Sequence, residues 1–406
     1  MVFNSLAKIL LPCTEEEFLA SSWGKSYRHV PGRAGKFRGL MPWSELNEIL
    51  KRHRLDQPRL RLMRDGRNMP ASSYLKHATN RRKKFTIPRL LPAELTKQLR
   101  EGATLVLDAV DELYSPVEEL AAGLERAFRE HVQVNLYAGW RTSKGFDLHW
   151  DDHDVFILQV AGRKRWAVYG ETRKHPLSQD VEKNLRPEGE PLWDATLEDG
   201  DLLYIPRGWW HVAFPLDEPT LHLTVGVHRR TGIDLLRWLT ERLRASELFR
   251  SDLPRLASED GRRGHAERLR DELLASWDAN LLEDYFADSD MKAEARPFFS
   301  LPWGATSEPL PEDGETLVRL TAPRPLDLNG GARNGTLEFS CLGKHWQFAS
   351  DALAVIGPLS DGRALSVAEL CEAASEKLDE QRVRAFLGEL IQEGLLAVVR
   401  DGAGGG

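Results

Sequence analysis

Phe146-Asp147-Leu148-His149-Trp150-Asp151-Asp152-His153-Asp154-Val155-Phe156 is the stretch on which the reading of this chain turns. It passes from a His-x-Asp pair into an apolar run, Asp154 to Val160, that predicts a strand. Alternate side chains of an extended backbone share a face, so His149 and Asp151 present an imidazole and a carboxylate to one point. A third donor must come from elsewhere, and His211 fits best. It follows Gly200-Asp201, which reads as a turn, Leu202 to Ile205, a buried strand, and Pro206 to Gly208, a second turn that presents it. Two histidines and one carboxylate on one face of a metal leave three positions open, the arrangement of non-haem Fe(II) oxygenases. A co-substrate can chelate through two of them and O2 can take the third. His153, His222 and His228 are rival ligands, each read more simply as a pocket or core histidine.

Around this stretch the pattern is of short strands separated by Gly, Pro and Asp: Val132–Tyr137, Asp154–Val160, Lys164–Tyr169, Leu202–Ile205 and Leu221–Val227. In the last, Leu221, Leu223, Val225 and Val227 occupy one face, and His222, Thr224, Gly226 and His228 the other. Such spacing predicts a sandwich or barrel, whose mouth can hold one ligand. Upstream, Glu15–Trp23 and Trp43–Leu50 read as helices, the second with Ser44 as N-cap. Pro58–Arg64 and Thr104–Leu107 read as strands. Ser115-Pro116 opens a helix to about Glu130, with Pro in its first turn. Downstream, Gly232 to about Phe286 is helical, with Leu235, Leu236, Leu239 and Leu243 at helical spacing. Ala295 to Gly335, rich in Pro and Gly, reads as linker. Phe348–Ile356, Ser366–Ala374 and Asp379–Glu393 then read as three helices, followed by a strand, Leu395–Arg400, and a frayed tail, Gly402–Gly406.

The chain has 406 residues, 41% hydrophobic and 29% charged, which predicts two or three domains of a soluble protein. No apolar stretch approaches the ~20 residues of a membrane span, and the start lacks the basic region and cleavage site of a signal peptide. Cys13, Cys341 and Cys371 are scattered, against a disulfide framework or a cysteine zinc site, so the expected compartment is the reducing cytoplasm. A net charge of −7 argues against general attraction to nucleic acid. The basic stretches Lys51–Arg54 and Arg81–Lys84 read as solvated loops.

Asn135-x-Tyr137, His149-x-Asp151, Asp154-Val155-Phe156-Ile157-Leu158-Gln159, Gly162-x-Lys164-x-Trp166 and Gly200-Asp201-x-Leu203-Tyr204-Ile205-Pro206-Arg207-Gly208-Trp209-Trp210-His211 together resemble the JmjC-domain ribosomal oxygenases, cupin-like protein hydroxylases. The resemblance is dense from about Val132 to His211 and looser upstream. It implies an α+β protein with a double-stranded β-helix (jelly-roll, cupin) core. It also implies a domain order: an N-terminal α/β extension packed on the core (1–115), the JmjC core (116–230), a helical dimerisation region (231–295), and a linker with a winged-helix-like domain (296–402). His149, Asp151 and His211 match the Fe(II) ligands. Lys164 matches the cation that grips the distal carboxylate of 2-oxoglutarate, and a buried dicarboxylate needs such a partner on physical grounds alone. Asn135, Tyr137 and Thr224 match further pocket positions, whereas Gly226 stands where the family can carry a hydroxyl residue. Tyr137, Trp150, Trp209 and Trp210 are candidates for the entry channel.

The activity so implied is hydroxylation of a protein side chain, an arginine or histidine of a ribosomal protein, by a homodimer. The alternatives are a hydroxylase of a biosynthetic peptide or small molecule, a JmjC demethylase, and a cupin-fold binding protein without chemistry. The last is disfavoured by the full ligand set with Lys164. The C-terminal module carries Glu369, Glu372, Glu376, Asp379, Glu380, Glu389 and Glu393 against Lys377, Arg382 and Arg384. That face would repel phosphates, so packing or protein recognition is expected rather than DNA binding.

Overall fold

Strands with one apolar face organise the first of two units, Met1–Arg229 and Arg230–Gly406. The computed structural model describes residues 3–80, 85–180, 186–306, 310, 314–328, 332–333 and 335–400, so the Arg81–Lys84 stretch and the tail lie outside the described residues. The strands of the first unit are β1 (Arg28–Val30), β2 (Leu60–Arg64), β3 (Arg67–Asn68), β4 (Leu75–Asn80), β5 (Phe85–Leu90), β6 (Thr104–Leu107), β7 (His131–Gly139), β8 (Asp154–Ala161), β9 (Lys164–Glu171), β10 (Trp193–Leu197), β11 (Leu202–Ile205), β12 (Trp209–Pro215) and β13 (Thr220–His228). Its helices are α1 (Leu6–Leu10), α2 (Glu15–Ser21), α3 (Trp43–Arg52), α4 (Pro92–Arg100) and α5 (Ser115–Phe128). An eight-stranded sheet runs β1-β11-β8-β13-β7-β6-β2-β3, and a three-stranded sheet runs β10-β9-β12. The pairings within both are antiparallel.

The alternation along β7 and β13 assigns the two sides of the large sheet. Val132, Val134, Leu136 and Ala138, with Leu221, Leu223, Val225 and Val227, enter the main core, which also holds side chains of α1, α2, α3 and α5. The residues between them, Asn135 and Tyr137 on β7 with His222 and Thr224 on β13, line a cavity. β8 is buried on both faces: Phe156, Leu158 and Val160 belong to the main core, while Val155 and Ile157 join Trp166, Val168, Leu197, Leu203 and Ile205 in a second cluster.

Three sequence readings change here. The N-terminal 115 residues are more than an extension packed on the core, because β1, β2, β3 and β6 are strands of the main sheet itself. β11 would otherwise be an open sheet edge, and β1 covers it. Ser44 is not the cap of α3. That helix begins at Trp43, and the N–H groups of Glu45 and Leu46 bond to the Pro42 carbonyl. His211 is presented by strand β12, not by the turn alone.

In the second unit, α6 (Gly232–Leu243), α7 (Glu247–Arg250), α8 (Glu259–Ala275) and α9 (Leu281–Met291) share a small core of Leu235, Leu239, Leu243, Leu281 and Tyr285. A second core follows, with β14 (Leu317–Leu320), β15 (Ala332–Arg333), β16 (Thr336–Cys341), β17 (Lys344–Ala349), β18 (Leu365–Ser366), β19 (Leu396–Arg400) and helices α10 (Leu353–Ile356), α11 (Val367–Ala374) and α12 (Glu380–Gln392). The stretch read as linker therefore contains β14, central in the sheet β18-β14-β19. Its buried alternation, Val318 and Leu320, was hidden by flanking Pro and Gly. Phe348 lies on β17 opposite Leu337, not on a helix. Among the described residues no helix is long and apolar enough to cross a membrane.

Candidate metal centre

The three residues singled out from sequence meet at one point. His149 and His211 form an antiparallel bridge, in which each N–H bonds to the other residue's carbonyl at 3.2 and 2.8 Å. Gly208, at φ +84°, donates its N–H to the Asp151 carbonyl at 2.9 Å, which fixes the loop carrying Asp151. A side chain at Gly208 would collide with Pro176, at 2.5 Å from Cβ, as well as strain the turn. The backbone thus assembles the site before any ion is added.

Asp151 Oδ1 lies 3.9 Å from His149 Nε2, and Asp151 Oδ2 lies 3.4 Å from His211 Nε2. Both spans fall within the ~4 Å that two metal–ligand bonds of about 2 Å can bridge. The Nδ1 atoms face away from that point and meet main-chain carbonyls two residues upstream, Asp147 O at 2.8 Å and Trp209 O at 3.0 Å. These acceptors place a proton on each Nδ1 and leave each Nε2 with a lone pair for a metal. Burial, and then the His211 imidazole beside it, lowers the pKa of His149 and keeps it a neutral ligand. Burial works to raise the Asp151 carboxyl, but the imidazoles of His211 and His149 that face it hold it below the usual carboxylate range. A neutral imidazole beside a firmly ionised carboxylate is the donor set a divalent cation requires.

The triad opens into a cavity of about 230 Å³ lined also by Asn135, Tyr137, Lys164, Trp166, His222 and Thr224. All four non-metal site residues expected from sequence, Lys164, Tyr137, Asn135 and Thr224, therefore reach it. Lys164 is 6% exposed. Burial lowers its pKa to about 8, and no carboxylate among the described residues pairs with it. Its flanking residues face outward in ion pairs of their own, Arg163 with Glu218 and Arg165 with Asp194. Tyr137 stacks on His222, with ring centres 5.0 Å apart and planes 5° apart. Burial, then the nearby Asp151 and Asp108, pushes the Tyr137 hydroxyl up, so it remains a neutral donor. Asn135 Oδ1 accepts from the Ala109 N–H at 3.0 Å, which fixes the orientation of its amide.

Sequence reading missed two features of this wall. His222 Nδ1 and Trp166 Nε1 are buried without a hydrogen-bond partner, although both side chains line the cavity. Such atoms are costly unless a ligand satisfies them. The sequence placed His222 on the polar face of β13 and Trp166 in the Gly162-x-Lys164-x-Trp166 motif, but only the fold shows that their ring nitrogens lack partners. Of the residues considered for an entry channel, Tyr137 lines the cavity itself and the tryptophans Trp150, Trp209 and Trp210 do not. Trp210 donates instead to Thr172 at 2.9 Å.

Of the rival histidines, His222 lines the cavity and belongs to no metal-competent group among the described residues, whereas Asp152, His153 and His228 form a second cluster, of which His153 also lines the cavity. There the His153 and His228 rings lie face to face, centres 4.3 Å apart and planes 28° apart. Ring lone pairs lie in the ring planes, and stacked rings send them in similar directions, a less convergent arrangement than that of His149, Asp151 and His211. His153 also fills the space above Gly226: a Cβ there would sit 2.8 Å from His153 Cδ2 and 2.9 Å from Nε2. The departure at Gly226 is thus matched by a side chain from β8's leading turn.

Comparison with known proteins agrees with this geometry. The family model described as "JmjC domain" matches residues 112–235. The chain carries a JmjC domain. It is homologous to a protein named "Bifunctional lysine-specific demethylase and histidyl-hydroxylase NO66" from Drosophila pseudoobscura pseudoobscura, at 29% identity over 231 residues. That match covers 56% of this chain and 23% of the relative. "Ribosomal oxygenase 1" of Gallus gallus is 31% identical over 229 residues, covering 55% of this chain and 36% of the relative. The chain therefore spans well under half the length of these two relatives. Among solved structures, YcfD, a ribosomal oxygenase from Escherichia coli, superposes with a TM-score of 0.56 at 20% identity, over 96% of this chain and 99% of that one. Its complex with cobalt and 2-oxoglutarate gives 0.57 at 19% identity, over the same shares of the two chains. The JmjC domain thus sits in a fold that YcfD shares along nearly its whole length.

Proposed function

We propose that this protein is an Fe(II)- and 2-oxoglutarate-dependent oxygenase that hydroxylates a side chain of a ribosomal protein. The observation that carries the reading is Lys164, a buried ammonium without a carboxylate partner in the same cavity as the His149, Asp151 and His211 donors. A buried cation is costly alone and favourable once an anion arrives, so the cavity is built to receive a carboxylate at one end and a metal at the other. The cavity also offers His222 Nδ1 and Trp166 Nε1 to a polar ligand. Bound Fe(II) with 2-oxoglutarate and O2 supplies oxidation of an unactivated C–H bond, with decarboxylation of the co-substrate to succinate. The residues of the chain do the rest. The three donors orient the metal, Lys164 fixes the far end of the co-substrate, and Tyr137, Asn135 and Thr224 complete its cradle. The apolar cluster around Val155, Ile157 and Trp166 excludes water from the reacting side.

A ribosomal protein substrate is supported by homology to proteins named as ribosomal oxygenases, and a histidine target by the printed name histidyl-hydroxylase. A homodimer through α6–α9 is supported by their exposed apolar residues, among them Leu236, Leu274, Trp277, Leu282 and Phe286. Such a density of exposed large side chains is typical of a covered face. We read α10–α12 with β14, β18 and β19 as a winged-helix module that recognises protein, given its acidic surface, and the cytoplasm as the compartment, given free Cys13, Cys341 and Cys371.

The test is succinate formation from 2-oxoglutarate by anaerobically purified protein supplied with Fe(II), ascorbate and O2, with and without ribosomal proteins. Turnover stimulated by those proteins, with one of them gaining the mass of one oxygen atom, is expected. It should vanish in His149→Ala and in Asp151→Asn, which should also lose bound metal. Turnover without a modified ribosomal protein would move the substrate to peptides or small molecules, and formaldehyde release would favour demethylation. Metal binding without 2-oxoglutarate binding would overturn the enzyme reading.

A further inference from the structure

A second, roomier cavity of the first unit lies away from the metal site. It has a volume of about 570 Å³ and lies between the C-terminal end of α3, the β5 strand and the start of α4. It shares no lining residue with the metal cavity. Its floor is apolar, with Leu50, Leu55, Ile87, Leu90 and Leu95, and its rim carries Lys51, Arg52, His53, Arg54 and Arg89. No lining residue is a carboxylate. That is unexpected in a chain with a net charge of −7.

Part of this charge has a local explanation. Lys51 and Arg52 close α3 and share Glu48, at 3.3 and 2.6 Å, as basic residues at a helix C-terminus often do. Arg54 and Arg89 do not, since neither pairs with a carboxylate among the described residues. β4 and β5 also set Lys76 directly opposite Arg89. Like charges opposite one another in an antiparallel pair destabilise the hairpin. The fold keeps this cost, which an arriving anion would relieve.

We propose that this groove is a docking site for an acidic peptide segment with apolar side chains, supplied by a partner protein. The rim matches the carboxylates, and the leucine floor matches the apolar residues between them. A nucleic acid fits less well. None of the lining residues is Phe, Tyr or Trp, so the groove lacks the broad aromatic faces on which successive bases stack best. The net negative charge of the chain opposes a long polyanion more than a short peptide, whose charges stay within about 10 Å of the rim. The site goes beyond the oxygenase reading and stands whether or not that reading holds.

Fluorescence anisotropy of the full chain with labelled short peptides tests it, using one of glutamate and leucine, one of lysine and leucine, and an oligouridylate. The acidic peptide should bind, weaken as salt rises, and lose at least about tenfold in affinity, about 1.4 kcal/mol, in the Arg54→Glu/Arg89→Glu double variant. Both arginines are exposed, and Arg89→Glu sets a carboxylate opposite Lys76, so the variant should unfold at no lower a temperature than the parent. Absence of acidic-peptide binding, binding unchanged by the double variant, or tighter binding of the oligouridylate at this site would each overturn the proposal.

Discussion

Replacing Lys164 with methionine should stabilise the ligand-free protein while abolishing its response to 2-oxoglutarate. Burial lowers the Lys164 pKa from 10.5 to about 8. At about 1.4 kcal/mol per factor of ten in proton affinity, the buried charge costs about 3 kcal/mol. This is an upper bound, since methionine fills the same channel without the terminal nitrogen. The pH dependence follows from the direction of the shift. Between about 8 and 10.5 the unfolded chain holds the proton and the folded chain has released it, so the stability of the parent rises with pH across that window. Below 8 both forms are charged and the full cost applies. The advantage of Lys164→Met should therefore be largest at pH 7 and shrink towards pH 10. His222, the other basic group facing the ammonium, is kept neutral by burial and then by the Lys164 charge, and does not titrate in that window. Denaturant unfolding at several pH values, with and without 2-oxoglutarate and a divalent metal, reads both effects. At a hundredfold excess over its dissociation constant the ligand should add about 2.7 kcal/mol to the parent and nothing to the variant. A variant less stable than the parent at pH 7, and equally stabilised by 2-oxoglutarate, would refute the reasoning.

Gly226→Ala should displace His153, because the new Cβ would lie 2.8 Å from its ring. We expect a loss of about 1–3 kcal/mol in unfolding free energy, largely restored in the His153→Ala/Gly226→Ala double variant. Asp201→Ala should cost about 3 kcal/mol, because its carboxylate accepts from His29 at 3.0 Å and from the N–H groups of Gly32 at 2.7 Å and Glu198 at 3.0 Å. Burial opposes ionisation of Asp201, but the His29 bond and the two N–H groups hold its pKa below the usual range. Its contribution is thus present above the ordinary carboxylate pKa and lost as pH falls through the depressed one, so the variant and parent should converge in acid. Phe286→Asp should halve the mass seen by analytical ultracentrifugation while leaving the helical circular dichroism intact; an unchanged mass would remove α9 from the interface.

How much of this was legible in the sequence depended on whether a residue's role was local. His149 and Asp151 could be read because two-residue spacing fixes a shared face, and His211 because a strand and two turns led to it. The polar face of β13 was visible for the same reason, in His222 and Thr224 alternating with leucine and valine. What stayed hidden was long-range. Nothing in Arg28–Val30 reveals that β1 caps the edge of β11, since three residues carry no pattern and the partner is far along the chain. β14 was masked by neighbouring Pro and Gly, and Trp346 and Phe348 on β17 run into the apolar start of α10, which blurred the change from a period of two to one of 3.6. Lys164 stood out in sequence only through resemblance; its isolation from every described carboxylate is a fact of the folded chain.

The pairing of Arg28 with Tyr204 also sets a timetable for biosynthesis. β1 leaves the ribosome early and waits for β11, while α1 and α2 have no finished sheet to rest on. Non-local pairing of this kind is slow and leaves apolar surface uncovered in the meantime. When β11 does emerge, His211 follows one turn behind it and β13 soon after. Stalled chains probed by proteolysis should become resistant only once β13 is free of the exit tunnel. The last metal donor therefore emerges shortly before β13 closes the sheet, and a chain cut short before His211 gains neither.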